Sequence, residues 1–288
     1  MALQSSGAIS LANIQTEFGG SNPISISEYY GAAAGVPSSG TISLSDFYGT
    51  SAYAAIKSLY LNGSDEYIKR LFPSDGNLYT HTLSLWYKHN SFTHSNPRIF
   101  STLNYDTNLG NSYRADFFIS NSGNAMYATN DNAWYNSWTI TSAGLADGNW
   151  HHIVLTMDTS EISGYSRPNL YIDGTKYTRS GGIGEPYKGF NKGWGGNSYR
   201  FHALGNETYT TYNENLNGYI TEVHFIDGQS KLPSAFASSG SPIEYTGTYG
   251  TNGFRLRFDS NLNDTSGNNN HWTGVNTDST NYYATVPT

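Results

Sequence analysis

An alternating stretch near the middle of the chain constrains the fold more than any other part of the sequence. In GNWHHIVLTMD, residues 148–158, Ile153, Leu155 and Met157 fall on one side of an extended strand, and the residues between them fall on the other. LYIDG repeats the alternation shortly afterwards, and Asp173-Gly174 is typical of a tight turn between strands. These patterns predict antiparallel strands with a buried face.

The same residues resemble a known family. GNWHHIVLTMD followed by LYIDGTK is similar to the laminin-G-like, concanavalin-A-like jelly-roll domains, in which a W-H-H strand precedes an L-Y-I-D-G hairpin. LNGYITEVHFIDGQ is similar to the closing strand of that family. The resemblance implies an all-β fold, an antiparallel jelly-roll sandwich of two sheets.

Regular alternation also assigns two faces to the strand in LNGYITEVHFIDGQ. One face is predicted to hold Tyr219, Thr221, Val223 and Phe225. The opposite face is predicted to hold Ile220, Glu222, His224 and Ile226.

Residues 1–51 repeat one helix-start signal three times. Each copy has an Ile followed by a Ser that can act as an N-cap, at Ser10, Ser25 and Ser43, and each copy ends at a glycine. The second copy is a full capping box. The pattern predicts three short helices that are too small to bury a core and therefore need a surface to dock on.

This segment is also similar to the N-terminal part of many structural proteins of marine bacteriophages, in ISLANIQTEFGGSNPISISEYYG and GTISLSDFYG. The tail at 245–274 resembles phage-encoded laminin-G-like proteins. The resemblance implies that residues 1–51 dock on other virion proteins and that 52–288 form the sandwich, with a C-terminal wrap from about 245. The candidate docking residues are Ile9, Ile14, Phe18, Ile24, Tyr29, Tyr30, Ile42, Phe47 and Tyr48. The alternative is a poorly ordered leader that happens to hold three cap patterns.

Composition excludes several classes of function. The formal net charge is −7 and Lys and Arg are not clustered, so no nucleic-acid partner is expected. The absence of cysteine excludes disulfides and thiol chemistry. No apolar stretch approaches the length of a membrane span, and the N-terminus lacks a signal-peptide pattern. We therefore expect synthesis in the host cytoplasm, no membrane insertion, and a place on the virion, at the tail or capsid surface.

The sequence lacks the carboxylate pattern of retaining glycosidases with this fold. Those enzymes carry Glu-x-Asp-x-x-Glu on one strand, and no Glu-x-Asp occurs here. The nearest candidates, none with a carboxylate two residues away, are Glu161, Glu185, Glu207, Glu214, Glu222 and Glu244. We therefore expect no enzymatic activity, although a pair assembled from distant strands stays open.

Metal ligands are also sparse. His151 and His152 are neighbours on a strand, so their side chains point to opposite faces and do not hold one ion. The resemblance implies that one lies against the core and the other outside. No cofactor is expected, but a structural Ca²⁺ at the sandwich rim stays open, as in relatives of this fold. Its oxygens would come from Asp106, Asp131, Asp264 and the Asn-rich runs 104–111 and 261–270, although loop Asx residues mostly form turns.

Aromatic residues in loops are the candidate ligand-binding residues, because exposed rings offer apolar faces to the C–H groups of a sugar. The candidates for a glycan site are Trp134, Trp138, Tyr187, Phe190 and Trp194. The alternative is that these rings pack on the sandwich or on a neighbouring subunit. That alternative is favoured for Trp134 and Trp138, whose spacing puts both on one strand face, and for Trp194 both readings stay open.

Together these features predict a phage tail fibre, tail-tip protein or surface appendage that binds host-surface glycan during attachment, as a homo-oligomer with a trimer favoured. Two alternatives stay open. One is capsid decoration or a tail structural role without a ligand, and the less favoured one is a glycan depolymerase.

Overall fold

The computed structural model describes most of the chain as two compact units. One unit comprises residues 1–55 and 236–246, and the other comprises 56–235 and 247–288. Among the helices of the described residues, none combines the length and the apolar run that a membrane crossing needs. The described residues are 3–33, 36–37, 39–50, 57–104, 114–130, 135–140, 143–160, 168–178, 194, 200–206, 214–238 and 240–287, with the backbone alone at 103–104, 114, 129–130, 135–138 and 200.

The N-terminal unit contains three short helices that begin at the predicted serines. α1 spans Leu11–Phe18, and two 3₁₀ helices span Ile26–Tyr29 and Leu44–Phe47. A capping box closes each N-terminus, in which the third helical residue bonds back to the cap. The prediction of three short capped helices is confirmed, with two of them reduced to a single 3₁₀ turn.

These helices bury a core of their own. Ile14, Tyr29 and Phe47 occupy the same position in the three repeats and are all buried. Phe18 joins them, with ring centroids 6.3 Å from Tyr29 and 5.9 Å from Phe47. The expectation that this segment is too small to bury a core is therefore wrong, because the repeats direct equivalent side chains to one centre.

Hydrogen bonds tie successive repeats together. The hydroxyl of Tyr30 donates to the carbonyl of Gly40, and the hydroxyl of Tyr48 donates to the carbonyl of Gly7. Both glycines lie three residues before a cap serine, so each tyrosine reaches the start of another repeat. The N–H of Leu3 joins the two ends of the segment by donating to the carbonyl of Thr50 at 2.7 Å.

The larger unit is a sandwich of two antiparallel sheets, which confirms the predicted fold class. The described strands are β1 Ser58–Asn62, β2 Tyr67–Leu71, β3 Thr80–His89, β4 Arg98–Asn104, β5 Arg114–Ile119, β6 Ala125–Asn130, β7 Tyr135–Ile140, β8 Trp150–Asp158, β9 Asn169–Ile172, β10 Thr175–Tyr177, β11 Arg200–Leu204, β12 Asn217–Asp227, β13 Ala237–Ser238, β14 Ser241–Pro242, β15 Phe254–Leu256, β16 Thr273–Val275 and β17 Tyr282–Tyr283.

The front sheet has the order β10-β9-β8-β3-β12-β1-β17, with β15 also paired to β12, and the back sheet has the order β16-β2-β11-β4-β5-β6-β7. A separate hairpin, β13–β14, lies in the N-terminal unit.

The core lies between the two sheets. Ile153, Leu155 and Met157 of β8 point into it, as their alternation predicts, and Phe100 and Phe117 meet them from the back sheet. The C-terminal tail completes both sheets, because β15 and β17 pair within the front sheet and β16 pairs with β2 at the edge of the back sheet.

A β-bulge in β12 changes which of its residues face the core. The register with β3 shifts around Glu222, whose φ is 44°. Ile220 packs in the core before the bulge, and Val223 packs there after it. The predicted uninterrupted alternation is therefore wrong, because one extra residue reverses the faces. Tyr219 consequently lies on the outer face of the sheet, opposite to Val223.

Candidate functional site

Of the five aromatic candidates for a glycan site, Trp194 is the one whose side chain lies within the described part of the structure. Trp134, Tyr187 and Phe190 lie outside the described residues, and only the backbone of Trp138 is described, in β7. Trp194 is described, and its side chain is 0% exposed. Its Nε1 donates to the carbonyl of Ala115 at 3.0 Å.

Trp194 is a core residue in this structure. Its ring packs edge-on against Phe100 at 4.8 Å and against Tyr127 at 5.3 Å between centroids. A ring enclosed in this way has no face open to a sugar, so of the two readings left open for Trp194 the structure supports packing on the sandwich. The glycines that flank it in the sequence do not reveal this, because a glycine-rich loop can also turn an aromatic ring inward.

A different set of aromatic residues shares one surface. Trp150, Tyr219, Tyr60 and Tyr283, here called the aromatic platform, come from four strands of the front sheet. Tyr60 pairs with Tyr219 across β1 and β12, and Tyr283 of β17 lies opposite Ser58 on β1. Since residues opposite each other or two apart share a face, all four side chains point outward. Tyr283 is 39% exposed, and the other three are partly exposed.

The rings of the aromatic platform contact one another. The centroids of Tyr60 and Tyr219 are 4.8 Å apart, and Tyr283 meets both edge-on at 5.6 and 5.5 Å. Trp150 lies 6.4 Å from Tyr219. These separations fall in the range favoured by aromatic pairs, so the rings hold each other in place and form a continuous apolar surface.

Polar groups border the aromatic platform. The hydroxyl of Tyr60 donates to Oδ1 of Asn217 at 3.2 Å, and the same oxygen accepts from Nδ2 of Asn90 at 2.9 Å. Lys88 lies between Tyr219 and Trp150 in the register of the sheet. Partly exposed rings beside amide, hydroxyl and ammonium groups are the arrangement that sugar binding requires, with apolar faces for C–H groups and polar atoms for hydroxyls.

Sequence reasoning missed this platform. Its members are far apart in the chain and lie in strands, whereas the aromatic residues predicted from the sequence to bind a ligand were assigned to loops. Tyr219 was also assigned to the same face as Val223, and only the bulge reverses it. The available signal was the outward position of Tyr60 in SLYLN, between the apolar residues Leu59 and Leu61.

The two adjacent histidines point to opposite faces, as predicted. His152 lies on the outer face of the front sheet but is buried, stacked on Trp86 at 5.0 Å, with Nε2 2.9 Å from the hydroxyl of Ser84. Burial lowers its pKa to about 4. In the described part of the chain, no group of three or more His, Asp or Glu side chains is placed to hold a metal ion.

His151 is held between two carboxylates. Its Nδ1 lies 2.7 Å from Oδ2 of Asp173, and its Nε2 lies 2.9 Å from Oδ1 of Asp147. The hydrogen bond with Asp173 raises the pKa of His151. Burial opposes ionisation of Asp147, but its hydrogen bonds to His151 and Asn149 prevail and lower its pKa to about 2. This cluster fastens the turn after β9 to the start of β8.

The one candidate carboxylate inside a described strand faces two arginines and a histidine. Glu222 is 1% exposed, and its Oε2 lies 3.1 Å from Nη2 of Arg255 and 3.3 Å from Nε2 of His224. Nε of Arg257 approaches its other oxygen at 3.4 Å. Glu214 accepts the N–H of Asn96 at 2.7 Å. Glu161, Glu185 and Glu207 lie outside the described residues.

Asp264, a candidate calcium ligand, accepts protein hydrogen bonds instead. Its two oxygens accept the N–H groups of Arg255, Ser266 and Asn270, each at 2.8 Å. This carboxylate therefore anchors the turn of the C-terminal tail, which is the usual role of a loop Asp. Asp106 and Asp131 lie outside the described residues, as does most of the 104–111 run.

Comparisons with known proteins agree with this architecture. Residues 62–231 match the laminin G type of the concanavalin A-like lectin/glucanases superfamily. No curated protein sequence matches the chain. Among solved structures, a candidate carbohydrate-binding protein from Bacteroides ovatus is similar, with 15% identity and a TM-score of 0.53 over 78% of this chain and 59% of that one.

Two further structures show the same kind of likeness at lower similarity. Domains LG4-5 of the mouse laminin alpha1 chain share 14% identity, with a TM-score of 0.42, over 61% of this chain and 42% of that one. The CBM40 of Ruminococcus gnavus IT-sialidase, bound to alpha2,3 sialyllactose, shares 14% identity, with a TM-score of 0.43, over 58% of this chain and 88% of that one. The match spans more than half of the sequence and contains the W-H-H strand and the L-Y-I-D-G hairpin, so the chain belongs to the concanavalin A-like lectin/glucanases superfamily.

Proposed function

We propose that the sandwich binds carbohydrate and that the aromatic platform is its binding surface. The observation that carries this proposal is the cross-strand contact of Trp150, Tyr219, Tyr60 and Tyr283 on the outer face of the front sheet. A contiguous patch of partly exposed rings on a protein surface marks a site of interaction, and sugars offer apolar faces that match such rings. The carbohydrate-binding description of the Bacteroides ovatus chain, which shares the fold, supports the same class of ligand.

The test is a glycan array probed with the full-length protein and with a Trp150→Ala/Tyr219→Ala double variant. We expect saccharide binding by the native chain and a loss of at least about tenfold in the double variant, since each ring stack contributes on the order of 1 kcal/mol. Tyr79→Ala is the matched control, because Tyr79 is 40% exposed and lies just before the first residue of β3, at the opposite end of that strand from the aromatic platform. Equal binding by all three proteins would contradict the assigned surface, and no saccharide binding by the native chain would contradict the function.

We further propose that the protein is a bacteriophage virion component, a tail fibre, tail-tip protein or surface appendage, that meets host glycan during attachment. The support is the similarity of ISLANIQTEFGG and GTISLSDFYG to phage structural proteins. Three of the candidate docking residues are buried inside the N-terminal unit, and four more are partly buried against them: Ile14, Tyr29 and Phe47, and Ile9, Phe18, Ile24 and Ile42. The candidates with the largest exposed fraction for a docking contact are Tyr30 and Tyr48, which are each 37% exposed at equivalent places in two repeats.

Immunogold electron microscopy of intact particles, with antibody against the sandwich, tests the virion proposal. Label on the tail or its fibres is expected. Label spread over the head would instead favour capsid decoration. The absence of label on any particle would contradict the proposed virion role.

A further inference from the structure

The aromatic platform includes a cation between two of its residues. Lys88 pairs with Tyr219 on β12 and with Trp150 on β8. Its neighbour Tyr87 packs in the core, so the Lys88 side chain points outward with the rings. Since cross-strand neighbours lie about 5 Å apart, the partly buried side chain of Lys88 stands on the same face as the two rings and next to both residues.

Most of the other described lysine and arginine side chains have a hydrogen-bond or ion-pair partner. Arg70 donates to Asn270, Arg255 donates to Glu222, and Lys57 donates to Ser260. Lys88 is only partly buried, and it makes no hydrogen bond or ion pair with the residues that the structure describes. The side chain of Lys88 is therefore available to a ligand that covers the rings.

Among the described residues, two acidic groups near the platform are bonded to groups other than Lys88. Glu66 lies close enough to Tyr60 for its charge to act on that hydroxyl, and its carboxylate accepts the N–H of Asn62 at 2.9 Å. Asp147, in the loop before β8, is bonded to His151.

We propose that Lys88 makes the platform selective for acidic saccharides, whose carboxylate or sulfate accepts from the ammonium while the sugar ring lies on Tyr219 or Trp150. This inference rests on the proposed carbohydrate-binding function and names the ligand class of the same site. A charge-assisted hydrogen bond formed beside apolar rings is stronger than one formed in water. Because the chain has a net charge of −7, it repels anionic polymers at long range, so a local cation is needed to bind them.

The experiment compares each acidic glycan with its uncharged parent on one array, using uronate-, sialic-acid- and sulfate-bearing saccharides. We expect the native protein to bind acidic members at least about tenfold more tightly than their parents. Lys88→Met keeps the apolar stem and should remove this preference, whereas Lys88→Arg should keep it. Lys176→Met, on exposed β10, is the matched control and should behave as the native protein does. Comparison of the carboxylated with the sulfated members identifies the anion.

The outcomes separate this inference from the proposed function. Equal or tighter binding of the uncharged parents would overturn the acidic selectivity and leave carbohydrate binding in place. A preference for acidic glycans that survives in Lys88→Met would assign the selectivity to another residue. No binding of any saccharide would overturn both proposals.

Discussion

The ring centroids of Trp150 and Tyr219 are 6.4 Å apart although the strand that carries Lys88 runs between their strands. Adjacent strands are about 4.8 Å apart, so residues two strands away start nearly twice that distance from each other. The two rings must therefore lean toward each other over β3. This inclination turns separate strand residues into one apolar surface with a lysine inside it.

Replacing Trp194 should affect stability and not binding. Trp194→Ala removes a fully buried ring and its hydrogen bond to Ala115, which should lower the free energy of unfolding by about 3–5 kcal/mol. Urea denaturation gives the change, and glycan binding by the folded fraction should match that of the native chain. Loss of binding without loss of stability would return Trp194 to the binding site.

Neutralising Glu222 in its buried cluster with Arg255 and Arg257 should lower the free energy of unfolding. Glu222→Gln leaves Arg255 and Arg257 without the carboxylate that faces both, and removing one partner of a buried ion pair costs about 3–5 kcal/mol. Asp259→Asn is the control, because Asp259 is 41% exposed and lies 3.5 Å from Arg257. We expect the control to change the free energy of unfolding by less than about 1 kcal/mol. A loss as small for Glu222→Gln as the one expected for the control would show that the cluster contributes little.

The free energy of unfolding should fall as the pH drops below about 6.5, the ordinary pKa of histidine. Burial lowers the pKa of His81 to about 3 and that of His152 to about 4. Below about pH 6.5 these histidines therefore bind protons in the unfolded chain but not in the folded chain. Each of them lowers the free energy of unfolding by at most about 1.4 kcal/mol per pH unit. This loss begins near pH 6.5 and continues down to the lowered pKa of each histidine.

The contribution of His81 can be isolated by His81→Leu, measured as the free energy of unfolding between pH 7 and pH 5. The variant should show a shallower loss than the native chain, because it removes one proton that only the unfolded chain accepts. Equal slopes would mean that His81 is protonated in the folded protein or exposed to solvent.

The pKa of His151 should respond to its two carboxylates unequally. Asp173→Asn removes the hydrogen bond that contributes most to raising this pKa, and Asn tolerates the φ of 51° at this turn. Titration of the His151 ring by NMR should show a lower pKa in Asp173→Asn than in Asp147→Asn. The opposite order would make Asp147 the dominant partner. Since the pKa of His151 is raised, its stabilisation is complete below about pH 6.5 and is lost as the pH rises through the raised value.

Local patterns predicted the fold well. The alternation in IVLTM and the Asp173-Gly174 turn fixed β8, β9 and β10, and the three cap serines located the N-terminal helices. These features depend on neighbours in sequence, which a pattern can reveal. The self-contained core around Ile14, Tyr29 and Phe47 was missed because it depends on how the three repeats come together.

The candidate site was harder to predict because it also depends on how distant parts of the chain come together. Tyr60, Trp150, Tyr219 and Tyr283 meet only through the strand order of the front sheet, which no local pattern contains. The bulge at Glu222 also reverses the face of Tyr219, and a bulge inserts one residue without an obligatory sequence signal. For Trp194 the sequence left the exposed and the packed position open, since its glycine-rich surroundings gave no sign of burial.

The most direct measurement is ¹⁹F NMR of the full-length protein labelled with 5-fluorotryptophan, during titration with a saccharide that binds on the array. Trp150→Phe and Trp194→Phe assign the two resonances. We predict that the Trp150 resonance shifts as the saccharide is added and that the Trp194 resonance does not. A shift of Trp194 with Trp150 unchanged would contradict the aromatic platform as the binding surface.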